Sequence, residues 1–323
     1  MPPTTPAGRR VAEAIALEPG GPPTLRARAA GQVIRTLVKS IWAYGPPGQA
    51  GLLFVRAMTG AVPASPLPRG VEITPEDFGG CTGEWVRAGR PDEKKVLLYL
   101  HGGGYFFGNA VLYRGLTWRM SAATARPVLA LDYRLAPEHT PADALEDAVT
   151  AYDSLLAKGY AGPDIVLGGD SAGGHLTLAL LLALKETGRP LPAAAIALSP
   201  WADVTCGADS HTLNERTDHL IPAARLAWVG SYLCEGLQET DPLFSPVRGD
   251  YAGLPPLLLI SSGSEILRDD ARRVATRARA AGVRVVHQEW DGLVHVFPMF
   301  ADFIPEGKAA FRHIAGFLGS VGA

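Results

Sequence analysis

The chain has 323 residues, 47% hydrophobic and 19% charged, a balance that excludes a disordered chain, a coiled coil and a disulfide-rich miniprotein. Its formal net charge of −2 gives no chain-wide excess that would point to nucleic acid or an anionic membrane. Cys81, Cys206 and Cys234 lie far apart with no C-x-x-C spacing, which argues against a disulfide framework. The opening MPPTTPAGRR has no apolar stretch behind its charges, and the longest apolar run, 176–184, is about half of what a membrane span needs. A cytoplasmic protein without membrane insertion is expected.

Residues 1–70 are rich in Pro and Gly, with one amphipathic stretch over 25–42 in which Ile34, Leu37, Val38 and Ile41 recur at helical spacing. Beyond residue 71, short apolar runs alternate with longer helical periods. The runs 96–100, 127–131, 164–167, 193–198, 256–261 and 283–287 read as strands buried on both faces. The segments 141–158, 172–186 and 267–281 read as crossover helices. The pattern predicts an open, mostly parallel α/β sheet flanked by helices, with its chemistry at the carboxyl ends of the strands.

Gly169-Asp170-Ser171-Ala172-Gly173 fits G-x-S-x-G, directly after one run and directly before a helix. On such a turn the glycines allow close backbone approach and the serine hydroxyl is held out as a nucleophile. The motif alone is weak, and its place between strand and helix strengthens it. His101-Gly102-Gly103-Gly104 follows the run 96–100, again at a carboxyl end. Three successive glycines cost conformational entropy and make sense where backbone N–H groups must face a developing negative charge. Gly102, Gly103, Gly104 and the N–H of Ala172 form the expected oxyanion hole.

A serine nucleophile needs a base, and on this kind of sheet the chain order is nucleophile, acid, base. After Ser171, His175 lies in the nucleophile's own helix, His287 in a strand run and His313 in a C-terminal amphipathic helix; His211 and His219 fall in a polar inter-strand stretch. His295, in a loop beyond the last strand, is the expected base. The acid belongs after the run 256–261, where Glu265 sits in the loop itself. Asp269 is the rival, although it and Asp270 are better placed to complement a helix N-terminus.

With these pieces assembled, the chain resembles the bacterial hormone-sensitive-lipase-like esterases, an α/β-hydrolase family. The resemblance is carried by His101-Gly102-Gly103-Gly104, by Asp132-Tyr133-Arg134-Leu135-Ala136-Pro137-Glu138-His139 and by Gly169-Asp170-Ser171-Ala172-Gly173-Gly174. Ser199-Pro200-Trp201, Asp241-Pro242 and Gly292-Leu293-Val294-His295 extend it over roughly residues 70–318. It implies a serine carboxylesterase for short- to medium-chain acyl esters, acting through an acyl-enzyme without metal or cofactor. It supports Ser171, Glu265 and His295 as the triad, Glu265 departing from the more usual Asp. It also implies a catalytic domain over 71–323, capped by the segment 1–70 and by an insertion after the sixth strand at about 203–235. Arg134 and Glu138 are expected to fix loops through ion pairs. By analogy the substrate pocket is drawn from Tyr105, Phe106, Phe107, Val296 and Phe297, with Trp42, Tyr44, Leu213 and Trp228 closing the top, each of which core packing explains equally well.

The expected partner is a small-molecule ester, with no nucleic acid. A homodimer pairing through 283–287 is compatible with an edge strand there. Acyl transfer and amide or acetyl hydrolysis would use the same triad. A non-catalytic binding protein on this scaffold is the reading from another class, and the presence of both Ser171 and His295 argues against it.

Overall fold

The computed structural model describes residues 22–63, 65–235, 241 and 244–323. Residues 1–21 and 64 of the expected N-terminal cap, with the opening decapeptide, lie outside this set, as does Pro242 of the Asp241-Pro242 pair.

Eight strands form one sheet: β1 (Val71–Asp77), β2 (Thr82–Ala88), β3 (Val96–Leu100), β4 (Val128–Asp132), β5 (Ile165–Asp170), β6 (Ala194–Leu198), β7 (Leu257–Ser262) and β8 (Val285–Trp290). Their spatial order is β1-β2-β4-β3-β5-β6-β7-β8, with β1–β2 and β2–β4 antiparallel and every later pair parallel. All six predicted strands are present within two or three residues of their expected limits. β1 and β2 were not expected. Their sequences, VEITPED and TGEWVRA, carry charges and half-exposed positions instead of a continuous apolar run.

Side chains of a strand point alternately to opposite faces, so an unbroken apolar run feeds two cores at once. In β3, Val96, Leu98 and Leu100 join one cluster while Leu97 and Tyr99 join the other. The first cluster is completed by helices α5 (Pro141–Ala157), α6 (Ala172–Glu186) and α9 (Arg268–Ala280). The second is completed by α4 (Ala110–Thr124) and α10 (Pro305–Val321). Arg134 and Glu138 tie loops as expected: Arg134 pairs with Asp147 at 2.7 Å and Glu146 at 2.8 Å, and Glu138 pairs with Arg56 at 2.8 Å.

Two further groups of helices lie beside the carboxyl ends of the strands. One is α1 (Leu25–Ile34), a π-turn (Arg35–Lys39), α2 (Ser40–Tyr44) and α3 (Gly48–Gly60); the other, between β6 and β7, is α7 (Ser210–Leu213) and α8 (Ala223–Leu233). The amphipathic stretch is helical but interrupted by the π-turn, and Leu37, Val38 and Ile41 are exposed instead of packed inward. The two groups are clasped by Lys39 Nζ, which donates to the carbonyls of Glu215 at 2.6 Å and Asp218 at 3.0 Å. Arg225 donates to the carbonyls of Ala43, Gly45 and Pro46. No helix of the described residues is long and apolar enough to cross a membrane.

Candidate active site

Ser171 sits between the end of β5 and the start of α6 with φ 53° and ψ −118°, a conformation a side-chain-bearing residue holds only when its surroundings impose it. They do so here. Its N–H donates to Leu198 O at 2.9 Å, and its carbonyl accepts from His175 N at 3.0 Å and Trp201 N at 3.1 Å. Gly173 makes the turn sterically possible, because a Cβ there would stand 2.0 Å from Leu100 O. The half-buried serine side chain is left at the wall of a cavity it shares with His295.

His295 and Glu265 meet as the chain order requires. Nδ1 of His295 donates to Glu265 Oε2 at 2.6 Å, and Glu265 Oε1 accepts from Ser262 N at 2.7 Å. Both side chains are buried. A neutral imidazole donating from Nδ1 keeps Nε2 as its proton acceptor. Burial by itself would lower the His295 pKa. The Glu265 hydrogen bond and charge, with Asp218 and Asp170 beyond it, outweigh burial and raise it above the usual 6.5. The rival Asp269 is turned away, paired with Arg268 at 2.8 Å and accepting from Ser210 N at 3.0 Å.

The glycine loop is clamped from both sides. His101 Nδ1 donates to Gly102 O at 2.7 Å, its ring stacks on Tyr133 with centroids 4.3 Å apart, and Tyr133 Oη donates to His101 O at 2.6 Å. Burial pushes the His101 pKa down to about 4, so the ring is neutral and its role in the loop is structural. Gly103, at φ 116°, turns its carbonyl toward the N–H groups of Phe106 and Phe107. Among the described residues the N–H groups of Gly103 and Gly104 meet no protein acceptor, and both glycines line the cavity beside Ser171. Gly102 differs. Its N–H donates to Asp170 Oδ1 at 3.0 Å, so the expectation that it joins the oxyanion donors is corrected: it is held as a hinge of the loop.

Asp170 was not singled out by sequence reasoning, although it stands inside the G-x-S-x-G motif. Besides Gly102 it accepts from Tyr99 Oη at 2.7 Å and Tyr113 Oη at 3.1 Å. Asn214 and Asp218 were missed as well. Asn214 Nδ2 donates to the carbonyls of Gly263 and Glu265, and Asp218 accepts from the N–H groups of Leu220, Ile221 and Ile266. Ser199 Oγ accepts from Val296 N at 3.2 Å, and the hydroxyls of Ser262 and Ser264 both donate to Leu293 O. Nothing in the local sequence marks these polar braces, because each acts on a segment distant along the chain.

The cavity measures about 240 Å³ and is walled mainly by apolar side chains: Val38, Trp42, Phe107, Leu112, Leu220, Ile221, Leu226, Val296, Met299 and Phe300. Of the expected pocket residues, Trp42, Phe107 and Val296 line it. Tyr105 and Phe106 do not: Tyr105 is buried with its hydroxyl 2.6 Å from His175 Nδ1, and Phe106 is buried beneath Trp42. Phe297 is buried against Trp290, and Leu213 is exposed. Tyr44 is exposed too, and Trp228 lines a separate narrow cleft between α2, α3 and α8. Larger open depressions of 690 and 860 Å³ elsewhere on the surface contain none of Ser171, Glu265 and His295, and the second is bordered by the rival Asp269.

Residues 97–299 match the model of a family described as having the alpha/beta hydrolase fold. The chain is 42% identical to an acetyl-hydrolase of Streptomyces hygroscopicus and 35% identical to an esterase of Acinetobacter venetianus, in each case over 78% of this chain and 83% of the relative. A crystal structure of an esterase from the bacterial hormone-sensitive lipase family superposes with a TM-score of 0.83 at 38% identity, covering 92% of this chain and 98% of that one. The chain belongs to the hormone-sensitive-lipase-like esterases of the α/β-hydrolase fold. Within that family the juxtaposed Ser171, His295 and Glu265 have a clear chemical reading.

Proposed function

We propose that this carboxylic-ester hydrolase cleaves short- to medium-chain acyl esters through a covalent intermediate on Ser171. The observation that carries the reading is the 2.6 Å Glu265–His295 hydrogen bond behind a strained serine in one apolar cavity. Ser171 Oγ attacks the ester carbonyl while His295 Nε2 takes its proton, and Glu265 holds the ring and stabilises the imidazolium. The oxyanion is received by the N–H groups of Gly103, Gly104 and Ala172, the last at the positive end of α6. The alcohol leaves with the proton from His295, and water, activated by the same ring, releases the acid.

Among the described residues Asp170 and His295 are the only acidic or basic side chains lining the cavity, which favours uncharged acyl groups, and its modest volume favours short ones. Trp42, Val38 and Thr59 from the N-terminal helices and Leu220, Ile221 and Leu226 from the insertion roof it together. The test is hydrolysis of nitrophenyl esters from acetyl to palmitoyl by the wild type and Ser171→Ala. Turnover peaking at short chains, with a loss on the order of 10⁴-fold or more in the variant, is expected. Wild-type turnover that survives in Ser171→Ala would overturn the assignment.

A further inference from the structure

Residues 22–70 contain Arg26, Arg28, Arg35, Lys39, Arg56 and Arg69 and no Asp or Glu, a local excess concealed by the chain-wide net charge of −2. Glu215 and Glu138 pair with Lys39 and Arg56. Arg26, Arg28 and Arg35 have no acidic partner at ion-pair distance among the described residues. The same segment carries large apolar side chains that the described residues leave exposed. Val33, Leu37 and Ile41 recur every fourth residue along α1, the π-turn and α2, and Phe54, Met58 and Val62 do so along α3 and just past its end; each is 38% to 58% exposed. The two rows are neighbours, since Ile41 and Phe54 flank one cleft. They also border the entrance to the catalytic cavity, because Val38 is exposed on this face and lines the cavity as well.

We propose that this face is a docking surface for an anionic lipid–water interface, with the cavity mouth turned toward the lipid. Helices combining a basic edge with unpartnered apolar side chains bind in the interface plane through apolar burial and attraction to anionic head groups. A surface patch of this kind on an otherwise acidic molecule orients the protein, since the remainder of the chain is repelled by the same head groups. Continuity between patch and cavity lets a membrane-dissolved ester pass from lipid to Ser171 without crossing water. That last consequence rests on the esterase reading; the docking itself does not.

The experiment is flotation of the full chain with vesicles of phosphatidylglycerol and phosphatidylcholine, and with phosphatidylcholine alone, at low and high salt. Binding is expected to the anionic vesicles and to weaken with salt. Arg26→Gln with Arg28→Gln should weaken it about ten- to thirtyfold, at roughly fivefold per charge. Leu37→Ser, Ile41→Ser and Met58→Ser combined should reduce it at least tenfold. Both variants should keep wild-type turnover of nitrophenyl acetate in free solution, which also shows that they fold. Equal partition of wild type and variants, or no binding to anionic vesicles, overturns the proposal. So does a dimer, seen by sedimentation, that the apolar variant dissolves while vesicles bind neither form, because the face would then join two copies. An inactive wild type that still floats would overturn the esterase reading and leave the docking surface standing.

Discussion

Asp170 joins the two halves of the site through three hydrogen bonds that its carboxylate accepts, one of them from the oxyanion loop, while its own backbone leads into Ser171. Burial raises its pKa to about 6, against the Tyr99 hydrogen bond and the nearby His295. Asp170→Ala strands three buried donors, and at about 1–3 kcal/mol for each unsatisfied group it should cost about 3 kcal/mol or more in denaturant unfolding. Asp170→Asn retains an acceptor for Gly102 and should cost less. Glu265 acts on a different quantity. The base must be neutral to accept a proton, so kcat/KM falls as pH drops through the His295 pKa, which lies above 6.5. Glu265→Gln removes the charge that raises this pKa and leaves at most a neutral amide acceptor, while burial still lowers it. The acid limb of the pH–kcat/KM profile should move to lower pH, and kcat should fall on the order of 10⁴-fold. A limb that stays in place would show that Glu265 does not set the protonation of His295.

At the scale of elements, the insertion between β6 and β7 does more than roof the cavity. Asp218 is buried, and one of its carboxylate oxygens accepts from Ile266, the residue after Glu265, while the other holds Leu220 and Ile221. Asp218→Ala should destabilise the fold by about 2 kcal/mol or more. It should also lower kcat about 10- to 100-fold with a smaller change in KM, since small displacements of a catalytic group are costly. Thermal unfolding and steady-state kinetics on one preparation separate the two effects. This coupling was illegible in the sequence, whereas Ser171, Glu265 and His295 were legible because each follows a strand at a carboxyl end. Motif and chain order report local geometry. Braces such as Asn214 and Asp218 act across tens of residues, so no local pattern announces them. The pocket reading failed for a related reason: Tyr105, Phe106 and Phe297 flank the right loops, but a bulky side chain beside a tight turn is as readily packed under the loop as over it.

For the molecule as a whole, the parallel part of the sheet was readable because its strands are buried on both faces and so are apolar throughout. The antiparallel edge β1–β2 and helix α4 were not, the first for its charges and the second for Gly115, Thr117 and Thr124 within its length. The two cores predict where stability resides. Leu98, fully buried in the centre of β3, should cost about 2–5 kcal/mol when changed to Ala, while the turnover of the protein that remains folded stays near wild type. Activity normalised to folded fraction across a denaturant series measures this.

The Arg225 half of the clasp between the two groups of roof helices is asymmetric in what it demands of the sequence. Arg225 supplies a guanidinium, whereas Ala43, Gly45 and Pro46 supply main-chain oxygens that any residue would provide. One partner is written in side-chain chemistry and the other in the path of the backbone. Mutational drift at Ala43 is therefore tolerated as long as the turn keeps its course, whereas Gly45 is held by that course itself, since a Cβ there would stand 2.7 Å from Ile41 O.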